Sequence, residues 1–373
     1  MPPGRGEGGR LRVGVVFGGP SREHGVSFLS GRCLLSNLPA DRYEPLPVFV
    51  GKDGLWHGPS ASAAEMDRQL GRPPRDLLLD GIRPSDPAAP ADEVVASFRS
   101  AFEEGRPDVL FPIAHGTFGE DGAWQGLFES LSIPYVGCGV TASAVGMDKA
   151  VMKAVLGAAG LPQVDYFAFS RSDWGRPRRR DLLFERVEEL GFPVFVKPAC
   201  AGSSVGVSKV KSFADLGPAV EAALELDERG IVEEGVDARE IECSVLEGED
   251  GGPTEASLPG EIVPGHEFYD YEDKYIDDRS RSVIPAELPD STREEVRRLA
   301  VAAFDALGGA GFARVDFFLE RGTGRVLLNE LNSLPGFTPI SMFPKMWEAT
   351  GLALPDLLDR LVRSAFQRPR RGR

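Results

Sequence analysis

The sequence predicts an α/β protein that opens on a parallel sheet and closes on an α+β part, and three observations carry that reading. Apolar strand-like runs at 11–17, 43–50 and 109–113 are separated by helical or irregular stretches, the order of an open parallel sheet. Residues 313–319 and 326–331 alternate polar with apolar on either side of Arg321-Gly322-Thr323-Gly324, which reads as an antiparallel hairpin. A chain of 373 residues with 42% hydrophobic content can bury more than one core, so two or three domains are expected.

Taken in order, residues 1–10 read as a disordered leader without the apolar core of a signal peptide. The strand at 11–17 ends at Gly18-Gly19, after which Val26, Leu29, Cys33, Leu34 and Leu38 recur at helical spacing. Function in such a sheet is expected in the loops after the strands, here GGPSREHG at 18–25 and HGTFGEDG at 115–122. The stretch 58–100, rich in Pro, Ala and charge, reads as an insertion or irregular connection. A single helix is expected over 141–160, with Thr141 as N-cap and Ala144, Met147, Val151, Val155 and Ala158 as its buried stripe. A strand at 192–196 delivers Lys197, a small-residue loop follows at 201–206, and a further strand at 231–236 ends in carboxylates. The polar, aromatic stretch 264–282 reads as a lid, and a helix at 291–307 packs under the hairpin.

Composition excludes several classes. A net charge of −15 argues against nucleic-acid or anionic-membrane surfaces, and the basic tail 368–373 reads as a solvated end. No run approaches the roughly 20 apolar residues of a membrane span. Cys33, Cys138, Cys200 and Cys243 show no CxxC spacing, which fits a reduced, cytoplasmic protein. Neither G-x-G-x-x-G nor G-x-x-x-x-G-K-[ST] occurs, so a dinucleotide-dependent dehydrogenase has little support.

The chemistry concentrates in the hairpin. With the turn centred on Thr323, Arg314 faces Asn332 and Asp316 faces Glu330, and period-two alternation puts all four on one surface, opposite Val315, Phe317, Leu319, Leu327 and Leu331. Two carboxylates and an amide oxygen on one surface suit Mg²⁺ or Mn²⁺. A solvated surface hairpin would show the same alternation; the turn-rich loop 332–338 that follows favours a site. Lys149 and Lys197, flanking the Gly/Ser loop, are the point charges a triphosphate needs.

In this order, GGPSREHGVS, HGTFGEDG, MDK, GSSVGVSKV, EFYDYEDKY, RVDFFL and NELNSLPGFTPIS resemble the ATP-grasp superfamily and, within it, the D-alanine:D-alanine ligase family, from about residue 11 to 362. The resemblance implies a three-domain ATP-grasp architecture: an N-terminal α/β domain at 11–140 with the first D-alanine site, a central ATP-grasp subdomain at 141–232 with the Gly/Ser loop, and a C-terminal ATP-grasp subdomain at 233–373 with the lid and metal site. It implies that Lys149 and Lys197 hold the phosphates of ATP, that Glu233, Glu234, Val236 and Glu240 hold the nucleoside, and that Ser203 and Ser204 belong to the covering loop. Asp316, Glu330 and Asn332 would ligate two Mg²⁺ or Mn²⁺ ions. Glu23 would meet the ammonium of the first D-alanine, with Ser203 and Tyr275 linking that site to the lid and Lys274 approaching the phosphates. Arg314 and the backbone of Gly336 would stabilise the oxyanion. Ser341 would receive the second carboxylate, with His115 and Met342 also at the substrate. It further implies a homodimer. Gly25 stands where the family often has an acid, Ser333 where it often has Thr, and Ala199-Cys200-Ala201 at a variable place. A relative using D-serine, D-lactate or another amino acid as acceptor is the alternative.

Overall fold

The computed structural model describes residues 9–82, 88–264 and 280–367, the side chains of 80–82 excepted. Its elements run β1 (Leu11–Gly18), α1 (His24–Asn37), β2 (Tyr43–Val50), β3 (Trp56–His57), α2 (Pro59–Gln69), α3 (Pro74–Ile82), α4 (Ala91–Glu104), β4 (Val109–Pro112), α5 (Ala123–Ser130), α6 (Val140–Met147) and α7 (Lys149–Ala158). Then come β5 (Tyr166–Ser170), α8 (Arg171–Trp174), α9 (Pro177–Leu190), β6 (Val194–Pro198), β7 (Ser208–Val210), α10 (Phe213–Leu226) and β8 (Arg229–Glu234). The last part holds β9 (Ala238–Leu246), β10 (Glu255–Ala256), β11 (Gly260–Val263), β12 (Arg281–Val283), α11 (Asp290–Ala306), β13 (Phe312–Glu320), β14 (Val326–Asn332), α12 (Met342–Thr350) and α13 (Leu354–Ser364).

These strands form three sheets: β3-β2-β1-β4, then β5-β8-β6-β7, then β12-β11-β9-β13-β14 with β10 beside β9. The first is parallel except for the edge strand β3, and the other two are antiparallel. This is the ATP-grasp arrangement expected, an α/β part joined to an α+β part. In the first sheet the chain leaves β1 toward β2 on one side and pairs β4 on the other, so the loop after β1 opens into the crevice where such sheets bind ligands. Gly18 makes that turn possible: its φ is +91°, and a Cβ there would stand 2.3 Å from the Val50 carbonyl oxygen.

Four phenylalanines tie the first sheet to the last. Phe111 on β4 meets Phe312 and Phe337 at 6.3 and 5.9 Å between ring centroids, and Phe337 meets Phe343 at 5.2 Å. All four are fully buried, which anchors the loop after β14 from beneath.

Three sequence expectations change. The described parts of 58–100 are largely helical; Pro59 and Pro74 begin helices, where proline's fixed φ and missing N–H cost nothing, and residues 83–87 lie outside the described residues. The helix at 141–160 is two helices, broken at Asp148, whose carboxylate caps the second through the N–H groups of Ala150 and Val151. The break re-phases the buried face: Ala142, Met152 and Leu156 are buried, whereas Ala144, Val151 and Ala158 are exposed. Of the leader, residues 1–8 lie outside the described residues, and Arg10 donates to the Ala40 carbonyl at 3.0 Å.

Candidate active site

The hairpin β13–β14 has the register read from sequence, Arg314 opposite Asn332 and Asp316 opposite Glu330. A bulge after Asp316 then shifts the pairing, so Leu328 rather than Asn329 stands opposite Phe317. The core face therefore gains Leu328, fully buried, and Leu327 pairs with Phe318. On the polar face, Arg314 grips Asp316 with two bonds of 2.7 Å, and its Nε lies 3.1 Å from Glu242 Oε2 on the neighbouring β9. Asn332 Nδ2 donates to Asp316 Oδ2 at 2.9 Å.

The lysines converge on this face. Asp148 starts α7 and thereby orients Lys149, which donates to the Ala201 carbonyl at 2.7 Å and lies 3.8 Å from Glu330 Oε2. Lys197, near the end of β6, is 2.5 Å from Glu233 Oε2. Burial opposes the charge of Lys197, but Glu233 more than offsets it and raises the pKa. Glu233 adds a contact that the sequence did not show. Its carboxylate is 2% exposed and clamped between Lys153 and Lys197, which hold its pKa near 2 against the cost of burial. Its side chain acts on the lysines, and the residue lines the larger cavity beside Glu234.

A cavity of about 550 Å³ lies between the second and third sheets, lined by Lys149, Lys197, Glu234, Val236 and Glu240 and floored by Asp316 and Glu330. A second cavity of about 330 Å³ adjoins it, the two sharing Ser203, Glu242, Arg314 and Glu330. The second holds Glu23, His115, Gly336, Ser341, Met342 and Asn332. Ser203 and Ser204 both take left-handed φ, and Ser203 Oγ donates to Glu23, joining the Gly/Ser loop to the loop after β1. Gly202 leaves room for that contact, since a Cβ there would meet Glu23 Oε2 at 2.8 Å.

His115 is a satisfied, neutral imidazole. The Leu334 carbonyl can only accept, so Nδ1–H donates to it at 3.0 Å, and Nε2 accepts from Ser30 Oγ at 3.1 Å. Burial lowers its pKa to about 4, with Arg314 adding to the effect. Both ring nitrogens are committed, so His115 fixes the loop carrying Gly336 from its place in the wall of the smaller cavity. Ser341 Oγ accepts from the Thr338 N–H at 2.9 Å and lies 2.8 Å from Thr338 Oγ1.

Glu120 was not singled out from the sequence, although its motif was. It accepts from the Gly116 N–H at 2.5 Å and lines the smaller cavity with Glu23. Burial first, and Glu23 second, raise its pKa well above the carboxylate range. Only the position of an acid in HGTFGEDG hinted at it. Lys274, Tyr275 and most of the expected lid 264–282 lie outside the described residues.

The donor set Asp316, Glu330 and Asn332 is all oxygen-bearing and lies where the two cavities meet, which fits Mg²⁺ or Mn²⁺ completed by phosphate and water oxygens. Among the described residues there is no group of three or more His, Cys, Asp or Glu side chains placed to hold a metal. No helix among them is long and apolar enough to cross a membrane.

Comparison with known proteins agrees over nearly the whole length. The family model for the D-ala D-ala ligase N-terminus matches residues 12–138, and that for the D-ala D-ala ligase C-terminus matches residues 155–363. The chain is 44% identical to a D-alanine–D-alanine ligase of Halothermothrix orenii, over 96% of this chain and 99% of that protein. It is 44% identical to one of Streptomyces coelicolor, over 96% and 94%. Among solved structures, a D-alanine-D-alanine ligase from Coxiella burnetii superposes with a TM-score of 0.76 at 35% identity, covering 96% of this chain and 94% of that one. The VanG D-Ala:D-Ser ligase from Enterococcus faecalis gives 0.77 at 30% identity, covering 95% and 99%.

Proposed function

The chain belongs to the D-alanine–D-alanine ligase family, and from that premise we propose how its two joined cavities carry out the ligation. The enzyme joins two D-alanines into D-alanyl-D-alanine for peptidoglycan, with cleavage of ATP to ADP and phosphate. The observation that supports this division of labour best is the meeting of the cavities at Arg314 and Glu330, with lysines on one side and Glu23 on the other.

ATP lies in the larger cavity, its phosphates toward Lys149 and Lys197, its nucleoside along Glu233, Glu234, Val236 and Glu240, and Ser204 in the cover. A free carboxylate is a poor acyl donor. The carboxylate of the first D-alanine, its ammonium held by Glu23, therefore attacks the γ-phosphorus, forming an acyl phosphate and releasing ADP. Lys149 and Lys197 hold the phosphoryl oxygens through the transfer. The second D-alanine, its carboxylate toward Ser341 and Met342, attacks the acyl carbon with its amine. Arg314 and the Gly336 N–H stabilise the oxyanion, and phosphate leaves. Bound at Asp316, Glu330 and Asn332, two Mg²⁺ or Mn²⁺ ions would neutralise phosphate charge. Ser203, Tyr275, Lys274 and the stretch 264–282 are proposed to close over the site and exclude water. The division into 11–140, 141–232 and 233–373, a cytoplasmic location and a homodimer complete the proposal.

Incubation with ATP, Mg²⁺ and D-alanine should release ADP and yield the dipeptide. A panel with D-serine and D-lactate tests the second reading, favoured by the VanG likeness. A mixed product formed in preference to D-alanyl-D-alanine would replace the D-alanine assignment.

A further inference from the structure

We propose that Lys345 is the cation that binds the carboxylate of the acceptor amino acid, alongside Ser341. This rests on the ligase reading of the cavity and assigns a residue that reading leaves without a role. Among the described residues, the smaller cavity has four acids in its wall, Glu23, Glu120, Glu242 and Glu330, and two permanent cations, Arg314 and Lys345. Its substrates are zwitterions. An ammonium is well provided for there, but a carboxylate entering beside four acids needs a cation, and Arg314 is already bidentate on Asp316 and 3.1 Å from Glu242.

Lys345 differs from Arg314 in this respect. It is half-buried, it lines the cavity, and among the described residues it makes no hydrogen bond or ion pair. A lysine in the cavity wall with no partner among the described residues has its charge available to an entering anion. It stands four residues after Ser341, one helical turn along α12, so the two side chains share a face. Ser341 Oγ is held by the Thr338 N–H and by Thr338 Oγ1, which fixes the neutral half of the clamp.

The test measures acceptor and donor KM for D-alanine separately, with kcat and the ATP KM, in wild type, Lys345→Met and Lys345→Arg. Loss of one charge-assisted contact raises the acceptor KM of Lys345→Met roughly tenfold to a hundredfold. The donor and ATP values stay within about twofold, and Lys345→Arg recovers most of the loss. D-alaninamide, whose carboxylate is replaced by a neutral amide, is the second probe. Wild type should prefer D-alanine over it as acceptor, and Lys345→Met should lose that preference. Dipeptide formation by Lys345→Met with an unchanged acceptor KM, or with the preference intact, overturns the assignment. Wild type that makes no dipeptide from D-alanine overturns the ligase reading instead, so the two failures are distinct.

Discussion

Lys153 Nζ lies 2.8 Å from Glu233 Oε1, and neither side chain is more than 2% exposed. The other oxygen of Glu233 is 2.5 Å from Lys197 Nζ, so one carboxylate serves two ammonium groups and the trio carries a net positive charge. The face of Tyr166 stands 5.1 Å from Lys153 Nζ and adds favourable electrostatics. With a single lysine, Glu233 would cancel the charge it orients. With two, Lys197 stays fixed in direction while the trio keeps one positive charge for the phosphates proposed to lie there.

Lys153→Met should therefore raise the ATP KM by about tenfold while leaving both D-alanine KM values nearly unchanged. Leaving Glu233 with one partner should also cost about 3 kcal/mol of stability, at the low end for breaking a buried pair because Lys197 remains. Urea unfolding and initial rates at varied ATP measure the two effects. An unaltered ATP KM would confine Lys153 to a structural part.

Much of the site was legible because strand alternation and register are local properties. Residues 313–332 contain their own turn, so pairing Arg314 with Asn332 and Asp316 with Glu330 needed no tertiary information. The bulge after Asp316 did, since nothing in Phe317-Phe318 distinguishes it from regular strand. Glu233 illustrates the other limit. Its partner Lys153 is 80 residues away, on a helix whose face was misread because Asp148 restarts it, so the clamp could not be seen in sequence. His115 and Glu120 share a motif and both line the smaller cavity, yet the bonds that commit the His115 ring come from Ser30 and Leu334, contributed by α1 and the loop after β14.

The neutral His115 predicts a pH dependence of stability. Its folded pKa of about 4 lies below the ordinary 6.5, so the unfolded chain binds the proton first as pH falls. The stabilising effect is fully present above about 6.5 and is lost as pH drops toward 4. Across that window the loss should be on the order of 3 kcal/mol. Denaturant titrations of wild type and His115→Gln at several pH values measure it. The difference between the two proteins should shrink as pH falls, and parallel curves would contradict the assignment.

Gly202→Ala tests the junction between the two cavities. The added methyl would stand 2.8 Å from Glu23 Oε2, and the flexible end of Glu23 is the part able to yield. Yielding breaks its bond from Ser203 Oγ and moves the carboxylate proposed to meet the donor ammonium. The donor KM should rise about tenfold, with the melting temperature within roughly 2 °C of wild type. A clear loss of stability with an unchanged donor KM would show that the backbone, not Glu23, had moved.

Asp316 is held by Arg314 on both oxygens and by Asn332 on one, so the same carboxylate links the proposed oxyanion cation to the proposed metal face. Chelation with EDTA should abolish ADP release, and Mg²⁺ or Mn²⁺ should each restore it. Asp316→Asn keeps the shape and removes the charge. It should lower kcat by about 10²–10³ and weaken the metal dependence measured by titrating Mg²⁺ at fixed ATP, while circular dichroism stays that of the wild type. Arg314→Lys separates the two roles of the pair: it cannot grip Asp316 with a planar fork, so kcat should fall by a similar factor with the Mg²⁺ requirement unchanged. If Arg314→Lys instead shifted the Mg²⁺ titration as far as Asp316→Asn does, the arginine would be a positioning group for the metal face and its place at the oxyanion would fall.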